Sequence, residues 1–445
     1  MFRNLQGGQN ISDHDLDTAL DAARREYIDR HPSSLEHLRE AAKYLPGGNT
    51  RTVLFHDPFP LRIVSAKGCR IRDVDGHEYV NFLGEYTAGM FGHDNRVIRE
   101  AVVQALDNGI SLSGHCPDEA RLAQLICDRF SSVERVRFTN SGTEANLLAV
   151  SAARHFTARR RVLVFRGAYH GGLLSFAHGE SPVNAPYDYL VGTYNDSLST
   201  RELIRSHAGE IACILVEPVQ GAGGCIPARV EFLEMLRDEA RDAGIVLIFD
   251  EVMTSRLSFS GLQGRYGIIP DMSTFGKYLG GGLTFGAFGG KSEIMDLFDP
   301  SRPDGLPHAG TFNNNVLTMA AGVAALDGIL TEERLSELNL RGESMRDALN
   351  ETAAREGIAI RFTGLGSLIG VHATADPVLN ADDLKDADDR ILELLFLDML
   401  KRGFYFARRG FISLMLTIGD EEVDGFVESF GEFARNRQGV ARTGS

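Results

Sequence analysis

The chain has 445 residues, of which 43% are hydrophobic and 24% are charged, so it can bury a large core and is not a disordered protein. Its 61 acidic and 46 basic side chains give a net charge of −15, which argues against nucleic acid or an anionic membrane as a partner. Five scattered cysteines without a C-x-x-C pair support neither a disulfide framework nor a zinc site, and no apolar run approaches the ~20 residues of a membrane span, so a cytoplasmic globular protein is expected.

The N-terminal part of the chain predicts helices followed by a small sheet. Apolar residues three or four apart indicate two helices over residues 13–44. Three short segments then predict an antiparallel meander, with Asp75-Gly76 as a hairpin turn. These segments are residues 61–64, 69–73 and 79–82.

The middle of the chain, from about residue 95 to residue 297, alternates helical and strand patterns. Such alternation favours a mostly parallel sheet that is covered by helices on both faces. The predicted strands are residues 136–138, 162–165, 211–216 and 245–249. Ligands of open α/β sheets bind outside the carboxyl ends of the strands, so the residues that follow each strand are the candidate site.

The C-terminal part predicts two helices, over residues 315–329 and 332–356, and then a smaller α+β region. That region contains strands at 367–372, 404–407 and 411–416 and helices at 382–401 and 421–435. We therefore expect residues 1–83 to form part of a small domain, residues 84–314 a large ligand-binding domain, and residues 315–445 the rest of the small domain.

The first strand end carries a candidate anion site, the sequence NSGTEA at residues 140–145. Gly142 lets the backbone approach a ligand, and the hydroxyls of Ser141 and Thr143 can join the first helical N–H groups in binding an anion. The same residues also fit an ordinary capping box, in which Ser141 is paired with Glu144.

Other strand ends carry an aromatic ring and two carboxylates. Tyr169 and His170 lie in the glycine-rich sequence RGAYHGG, where a ring among small residues suits a planar ligand, although a Tyr-His pair in a loop is more often structural. Glu217 and Asp250 follow apolar strands, and carboxylates there are unfavourable unless a partner pairs with them. A protonated ring nitrogen would be such a partner.

Lys277 is the most distinctive candidate in the sequence. It lies in STFGKYLGGG and is the sole charged residue between Asp271 and Lys291. Apolar surroundings lower the pKa of an amine and make it nucleophilic at neutral pH. The alternative is a surface lysine whose stem covers apolar neighbours.

In their order along the chain, these motifs resemble the class III aminotransferases, which are fold-type I enzymes. The matching text is NSGTEA (140–145), YHG (169–171), DEVMT (250–254), GK (276–277), GGG (280–282), GAFGG (286–290) and GT (310–311). The resemblance covers residues 40–330 well and the remainder loosely. It implies an α/β fold with a mostly parallel central sheet, a smaller α+β domain, and pyridoxal phosphate as the cofactor of the large domain.

The resemblance also assigns roles to individual residues. It implies that Lys277 binds the cofactor covalently and that Asp250 keeps its pyridine nitrogen protonated. Tyr169 and Val252 would enclose the ring. The other implied cofactor contacts are Ser141, Gly142, Thr143, His170, Glu217 and, from the neighbouring subunit, Thr311. A homodimer is therefore expected.

Three segments depart from the glutamate-1-semialdehyde aminomutase branch of this family and resemble the β-phenylalanine aminotransferases. They are NTR (49–51), GEYT (84–87) and FNNN (312–315). In that subgroup, arginines at the positions of Arg51 and Arg409 bind substrate carboxylates, which guanidinium groups recognise by their geometry. The sequence does not decide between Arg408 and Arg409, and Arg51 also fits a surface ion pair.

The resemblance thus implies transamination of an aromatic β-amino acid, with 2-oxoglutarate or pyruvate as the amino acceptor. The expected partners are a second copy of the chain, the amino donor and the keto acid, and no metal is expected. Two alternatives stay open. One is glutamate-1-semialdehyde 2,1-aminomutase, an isomerase, and the other is a non-catalytic protein that binds pyridoxal phosphate.

Overall fold

The computed structural model describes residues 7–177 and 179–437, with side chains from residue 15 onward. The helices are α1 (Gly7–Arg30), α2 (Pro32–Ala41), α3 (Arg96–Asp107), α4 (Pro117–Arg129), α5 (Gly142–Thr157), α6 (Ser197–Ser206), α7 (Val230–Ala243), α8 (Gly261–Tyr266), α9 (Ser292–Met295), α10 (Val316–Gly328), α11 (Glu332–Glu356), α12 (Asp389–Lys401) and α13 (Asp420–Asn436). The strands are β1 (Ile63–Lys67), β2 (Arg70–Asp73), β3 (Glu78–Asn81), β4 (Arg135–Thr139), β5 (Arg161–Phe165), β6 (Asp188–Gly192), β7 (Ile211–Val216), β8 (Val219–Gln220), β9 (Ile226–Pro227), β10 (Val246–Asp250), β11 (Met272–Gly276), β12 (Gly286–Gly290), β13 (Arg361–Leu365), β14 (Leu368–His372), β15 (Phe404–Tyr405) and β16 (Phe411–Ser413).

A seven-stranded sheet forms the centre of the molecule, in the order β4-β12-β11-β10-β7-β5-β6. Its strands are parallel except β12, which runs antiparallel to both of its neighbours. Alternate side chains of β10 enter two different cores: Leu247 and Phe249 pack with α7, and Val246 and Ile248 pack with α5. Because both faces of the sheet are covered, the predicted α/β architecture is confirmed.

A second, four-stranded sheet combines strands from the N-terminal and the C-terminal regions. The predicted meander forms as β1-β2-β3, and β15 from the C-terminal region adds to it, parallel to β3. Arg24 of α1 donates to a carboxylate oxygen of Glu393 of α12 at 2.6 Å. Strands β13, β14 and β16 form a further antiparallel sheet. The domain boundaries at residues 83/84 and 314/315 stay a prediction.

The structure corrects the predicted helix at residues 382–401. Helix α12 begins at Asp389, and a separate helical turn covers Ala381–Leu384. Two caps cause the interruption, because Asn380 accepts a hydrogen bond from the Asp382 amide and Asp388 accepts one from the Arg390 amide. The sequence patterns also do not predict β6, β8, β9, β11, β12 and β13.

The strand ends converge as the parallel sheet predicts. The residues that follow β4, β5, β7, β10 and β11 face a common cavity at one edge of the central sheet. Elsewhere in the described part of the chain, no helix combines the length and the apolar character needed to cross a membrane.

Candidate active site

A cavity of about 310 Å³ lies at the carboxyl edge of the central sheet. It brings together most of the residues that the sequence singled out. The predicted residues that line it are Ser141, Gly142, Thr143, Tyr169, His170, Glu217, Asp250, Val252 and Lys277. Within the described residues, Arg51, Arg409 and Thr311 do not belong to its lining.

The N-terminus of α5 forms one wall of the cavity. Ser141 caps the helix by accepting a hydrogen bond from the Glu144 amide at 3.2 Å, while the Glu144 carboxylate accepts from the Asn140 amide at 2.8 Å. The free amides and the dipole of this 16-residue helix favour an anion at that point. A Cβ on Gly142 would lie 2.9 Å from a methyl group of Val252, so only glycine leaves room here. The segment is thus a helix cap whose geometry also suits an anion.

The loop after β5 packs closely onto the same helix. Gly171 has a φ of +118°, and a Cβ there would lie 2.2 Å from the Thr143 hydroxyl. The Tyr169 amide donates to the Glu217 carboxylate at 2.9 Å, and the Tyr169 side chain remains 42% exposed. The ring of Tyr169 is therefore available to a ligand in the cavity.

Asp250 is held rigidly at the floor of the cavity and is 4% exposed. Its Oδ2 accepts hydrogen bonds from Asn146 Nδ2 at 2.9 Å and from His170 Nδ1 at 2.8 Å, and its Oδ1 accepts from the Val252 amide at 3.1 Å. The Thr274 hydroxyl in turn donates to Asn146 Oδ1 at 2.7 Å. These bonds fix the orientation of the buried carboxylate, and a cationic group in the cavity would further offset the cost of burying its charge.

Asn146 is a site residue that the sequence patterns did not identify. It lies four residues after Gly142, so it is on the same face of α5 one turn further along. The structure buries the Asn146 amide, but the sequence shows only a polar residue in a helix of mostly small and apolar residues. His170 Nε2 is likewise buried and, among the described residues, without a hydrogen-bond partner.

Lys277 follows β11 directly and has a φ of +58°, an unusual conformation for a residue with a side chain. No hydrogen bond or ion pair to its Nζ exists within the described part of the chain. Burial lowers the pKa of Lys277 to about 8, although the negative charges of Asp250 and Glu217 oppose that change. The amine is therefore a nucleophile near neutral pH.

Glu217 completes the charged set in the cavity. Its carboxylate accepts hydrogen bonds from the amides of Tyr169 at 2.9 Å and Gly221 at 3.0 Å. Burial raises the pKa of Glu217 to about 7, and nearby Asp250 adds to that effect. Glu217 thus carries a proton more readily than an exposed glutamate does.

The structure distinguishes the two adjacent arginines. Arg408 forms an ion pair with Glu393 at 3.0 Å, on the side of α12. The guanidinium of Arg409 lies over the ring of Tyr86 at 5.0 Å and near that of Phe411 at 5.9 Å. The positive charge of Arg409 also contributes to lowering the pKa of Lys277. Of the two arginines, Arg409 is therefore the one whose charge affects Lys277 in the cavity.

Arg51 and Thr311 lie farther out. Arg51 Nη1 forms an exposed ion pair with Glu85 at 2.9 Å, and its positive charge limits the rise that burial causes in the pKa of Tyr86. Thr311 is exposed in the loop before α10, where Asn313 accepts a hydrogen bond from Asn140 at 3.1 Å. The fold thus ties the Thr311 loop to the helix cap without bringing Thr311 into the cavity of its own chain.

Several known proteins are similar to this chain in sequence and in fold. Residues 55–433 match the family model for aminotransferase class-III. The β-phenylalanine transaminase of Variovorax paradoxus is 49% identical over 418 residues, 94% of this chain and 96% of that protein. The crystal structure of a β-phenylalanine aminotransferase from Variovorax paradoxus has a TM-score of 0.95 at 48% identity and covers 97% of this chain and 100% of that chain. A glutamate-1-semialdehyde 2,1-aminomutase of Thermodesulfovibrio yellowstonii is 37% identical over 399 residues, 84% of this chain and 93% of that protein.

The family match spans every strand end that faces the cavity. It confirms the resemblance drawn from the glycine-rich motifs, and with it the fold-type I scaffold. The chain belongs to the class III aminotransferases, enzymes that work with pyridoxal phosphate.

Proposed function

We propose that this enzyme transfers the amino group of an aromatic β-amino acid, such as β-phenylalanine, to 2-oxoglutarate or pyruvate. The observation that carries the proposal is the 49% identity to a β-phenylalanine transaminase, over 94% of this chain. The arginines around Tyr86 provide independent support, because they suit substrates that carry carboxylates.

The residues of the cavity fit pyridoxal phosphate. Asp250 is a buried carboxylate at the cavity that two amides and the His170 imidazole hold in place, so it suits the protonated nitrogen of a pyridine ring. The N-terminus of α5 with Ser141, Gly142 and Thr143 suits the phosphate. Tyr169 and Val252 line the cavity where the ring would be enclosed.

The chain's own residues perform the proton transfers. When bound, pyridoxal phosphate supplies an aldehyde that bonds to amines and a cationic ring that accepts electrons from the substrate. We assign Lys277 as the group that holds the cofactor and, once released, removes the proton from the amine-bearing carbon. Glu217 and His170 line the same cavity, where they would hydrogen-bond polar atoms of the cofactor ring.

Substrate recognition is assigned to two arginines. Arg51 and Arg409 bind carboxylates, one for the β-amino acid and both for a dicarboxylate acceptor. Tyr86 and Phe411 stack at 5.5 Å with an interplanar angle of 24°, and they offer apolar surface next to Arg409. One pocket would thus accept either an aromatic ring or a second carboxylate.

The active unit is proposed to be a homodimer in which Thr311 reaches the cofactor of the neighbouring subunit. The exposed position of Thr311, outside the cavity of its own chain, supports this assignment. Isologous dimers place the same loop at both sites, so each subunit would complete the other.

A donor panel tests the substrate assignment. The holoenzyme is assayed with aromatic β-amino acids, α-amino acids and ω-amines, each with 2-oxoglutarate and with pyruvate. The expected result is that kcat/KM is highest for an aromatic β-amino acid. Faster transamination of α-amino acids or of simple amines would reject the proposed donor while leaving the family assignment in place.

The aminomutase reaction is the second candidate, since an aminomutase is 37% identical to this chain. An isomerase needs no keto acid, because the amine returns to the same molecule. Continuous turnover of glutamate-1-semialdehyde without any acceptor would favour the aminomutase. We expect no such turnover.

A further inference from the structure

Arg256 is a second buried cation, six residues after Asp250, and none of the roles above uses it. Arg256 is 0% exposed, and in the described part of the chain no carboxylate forms an ion pair with it. Burial lowers the pKa of Arg256 to about 10, which reflects the cost of removing a guanidinium from water. A charge buried without a counter-ion is rare in folded proteins.

The guanidinium of Arg256 joins the segment after β10 to the C-terminal sheet. Its Nε donates to the Ser367 hydroxyl at 3.1 Å, its Nη1 donates to the Ser413 hydroxyl at 3.0 Å, and its Nη2 donates to the Leu414 carbonyl. The Arg256 carbonyl accepts a further bond from Asn339 Nδ2 at 3.0 Å. The planar guanidinium of Arg256 donates to three separate acceptors at once, which the single ammonium group of a lysine could not reach together.

The two segments that Arg256 joins both serve the active site. On one side, Asp250 and Val252 lie four to six residues earlier in the same segment and line the cavity. On the other side, Ser413 ends β16, the strand that begins with Phe411, whose ring lies near Arg409. A shift of β16 against the end of β10 would move Arg409 relative to the cofactor residues.

We propose that Arg256 is a positioning residue that fixes Arg409 relative to the cofactor-binding segment and so sets the affinity for the second carboxylate of a dicarboxylate ligand. This inference rests on the proposed function, in which Arg409 binds that carboxylate. Hydrogen bonds to hydroxyl and carbonyl groups do not require a charge, so the retained guanidinium is explained by its reach and rigidity. Its charge also contributes to the low pKa of Lys277.

The test compares two ligands that differ by one carboxylate, glutarate and pentanoate, by calorimetry on the holoenzyme. Arg256→Lys keeps the charge but loses the fork, and we expect its Kd for glutarate to rise about tenfold while its Kd for pentanoate stays unchanged. Ser413→Ala and Ser367→Ala each remove one hydroxyl from the same guanidinium, but only Ser413 lies on β16. Ser413→Ala should therefore raise the glutarate Kd about threefold, and Ser367→Ala should leave it unchanged.

A purely structural role predicts a different outcome. If the variants lower Tm but keep the wild-type ratio of glutarate to pentanoate affinity, or weaken both ligands equally, the positioning role is overturned. If Arg256→Lys fails to fold, the two serine variants decide between these outcomes. The donor panel is read on the wild-type enzyme alone, so failure of the proposed substrate and failure of this inference remain distinguishable.

Discussion

At the scale of single residues, the chemistry depends on the pKa of the Lys277 amine, which burial and the nearby carboxylates shift in opposite directions. Burial lowers the pKa of Lys277 to about 8, and the carboxylates of Asp250 and Glu217 limit that decrease. An ordinary lysine has a pKa of about 10.4, so far more of the Lys277 amine is uncharged at pH 8. The left-handed backbone at Lys277 adds strain that the surrounding strands must hold in place.

This balance predicts a pH dependence for cofactor uptake by the cofactor-free protein. Only the uncharged amine attacks an aldehyde, so the rate should increase with pH and level off above about pH 8. Stopped-flow absorbance with added pyridoxal phosphate, from pH 6 to pH 10, measures that rate. A lysine peptide serves as the control, since its rate should continue to increase towards pH 10. The same continued increase in the protein would contradict the lowered pKa of Lys277.

Some of these residues are predictable from sequence and others are not. Lys277 and Asp250 are detectable because each is a charged residue in an apolar or glycine-rich segment of the sequence, where burying a charge is costly unless a partner binds it. Asn146 is not, since a helix pattern does not reveal which polar residue faces a carboxylate from another strand. The choice between Arg408 and Arg409 depends on which one Glu393 of a distant helix pairs with. Contacts of that kind are set by the tertiary fold.

At the scale of elements, close backbone approaches hold the cofactor site together. The loop after β5 touches the start of α5 at Gly171, where a Cβ would lie 2.2 Å from Thr143. The strand β12 packs equally tightly, since a Cβ on Gly286 would lie 2.1 Å from the Ser141 carbonyl. Sequence patterns of strands depend on apolar and β-branched side chains, which the glycine-rich β12 largely lacks. The sequence therefore does not predict β12 as a strand, although its GAFGG motif is recognisable.

The loop contact predicts a contrast between two neighbouring glycines. Gly171→Ala should weaken cofactor binding at least about tenfold, because φ is +118° there and the new Cβ would push the loop away from α5. Gly172→Ala should have no measurable effect, because no atom lies within 4 Å of its Cβ position. Equilibrium dialysis against pyridoxal phosphate gives both affinities. Equal behaviour of the two variants would show that this approach does not shape the site.

At the scale of the whole molecule, the N-terminal and C-terminal regions share one sheet, while the loop that contains Thr311 is exposed. The pairing of β15 with β3 joins the N-terminal and C-terminal regions of the chain. Composition and periodicity do not predict this pairing. Thr311 remains exposed, in the same loop as Asn313, which accepts a hydrogen bond from Asn140 beside the cap of α5. The separation of Thr311 from its own cavity is the structural reason to expect a second copy.

Complementation tests the shared site. Lys277→Ala lacks the amine, and Thr311→Asp places a negative charge where the neighbour's phosphate is proposed to lie, so each variant alone should be inactive. Random hybrid dimers combine one intact site with one doubly defective site, so a co-expressed mixture should recover about a quarter of wild-type activity. No activity in the mixture beyond the sum of the separate variants would argue that Thr311 does not act across the dimer.

The most direct test of the central claim is a single-turnover measurement with β-phenylalanine and no keto acid. The account predicts that the holoenzyme releases one equivalent of the corresponding β-keto acid per active site and then stops. Addition of 2-oxoglutarate or pyruvate should restart turnover, and the Lys277→Ala variant should release no product. Sustained turnover without an acceptor, or no release of keto acid at all, would contradict an aminotransferase of aromatic β-amino acids built around Lys277.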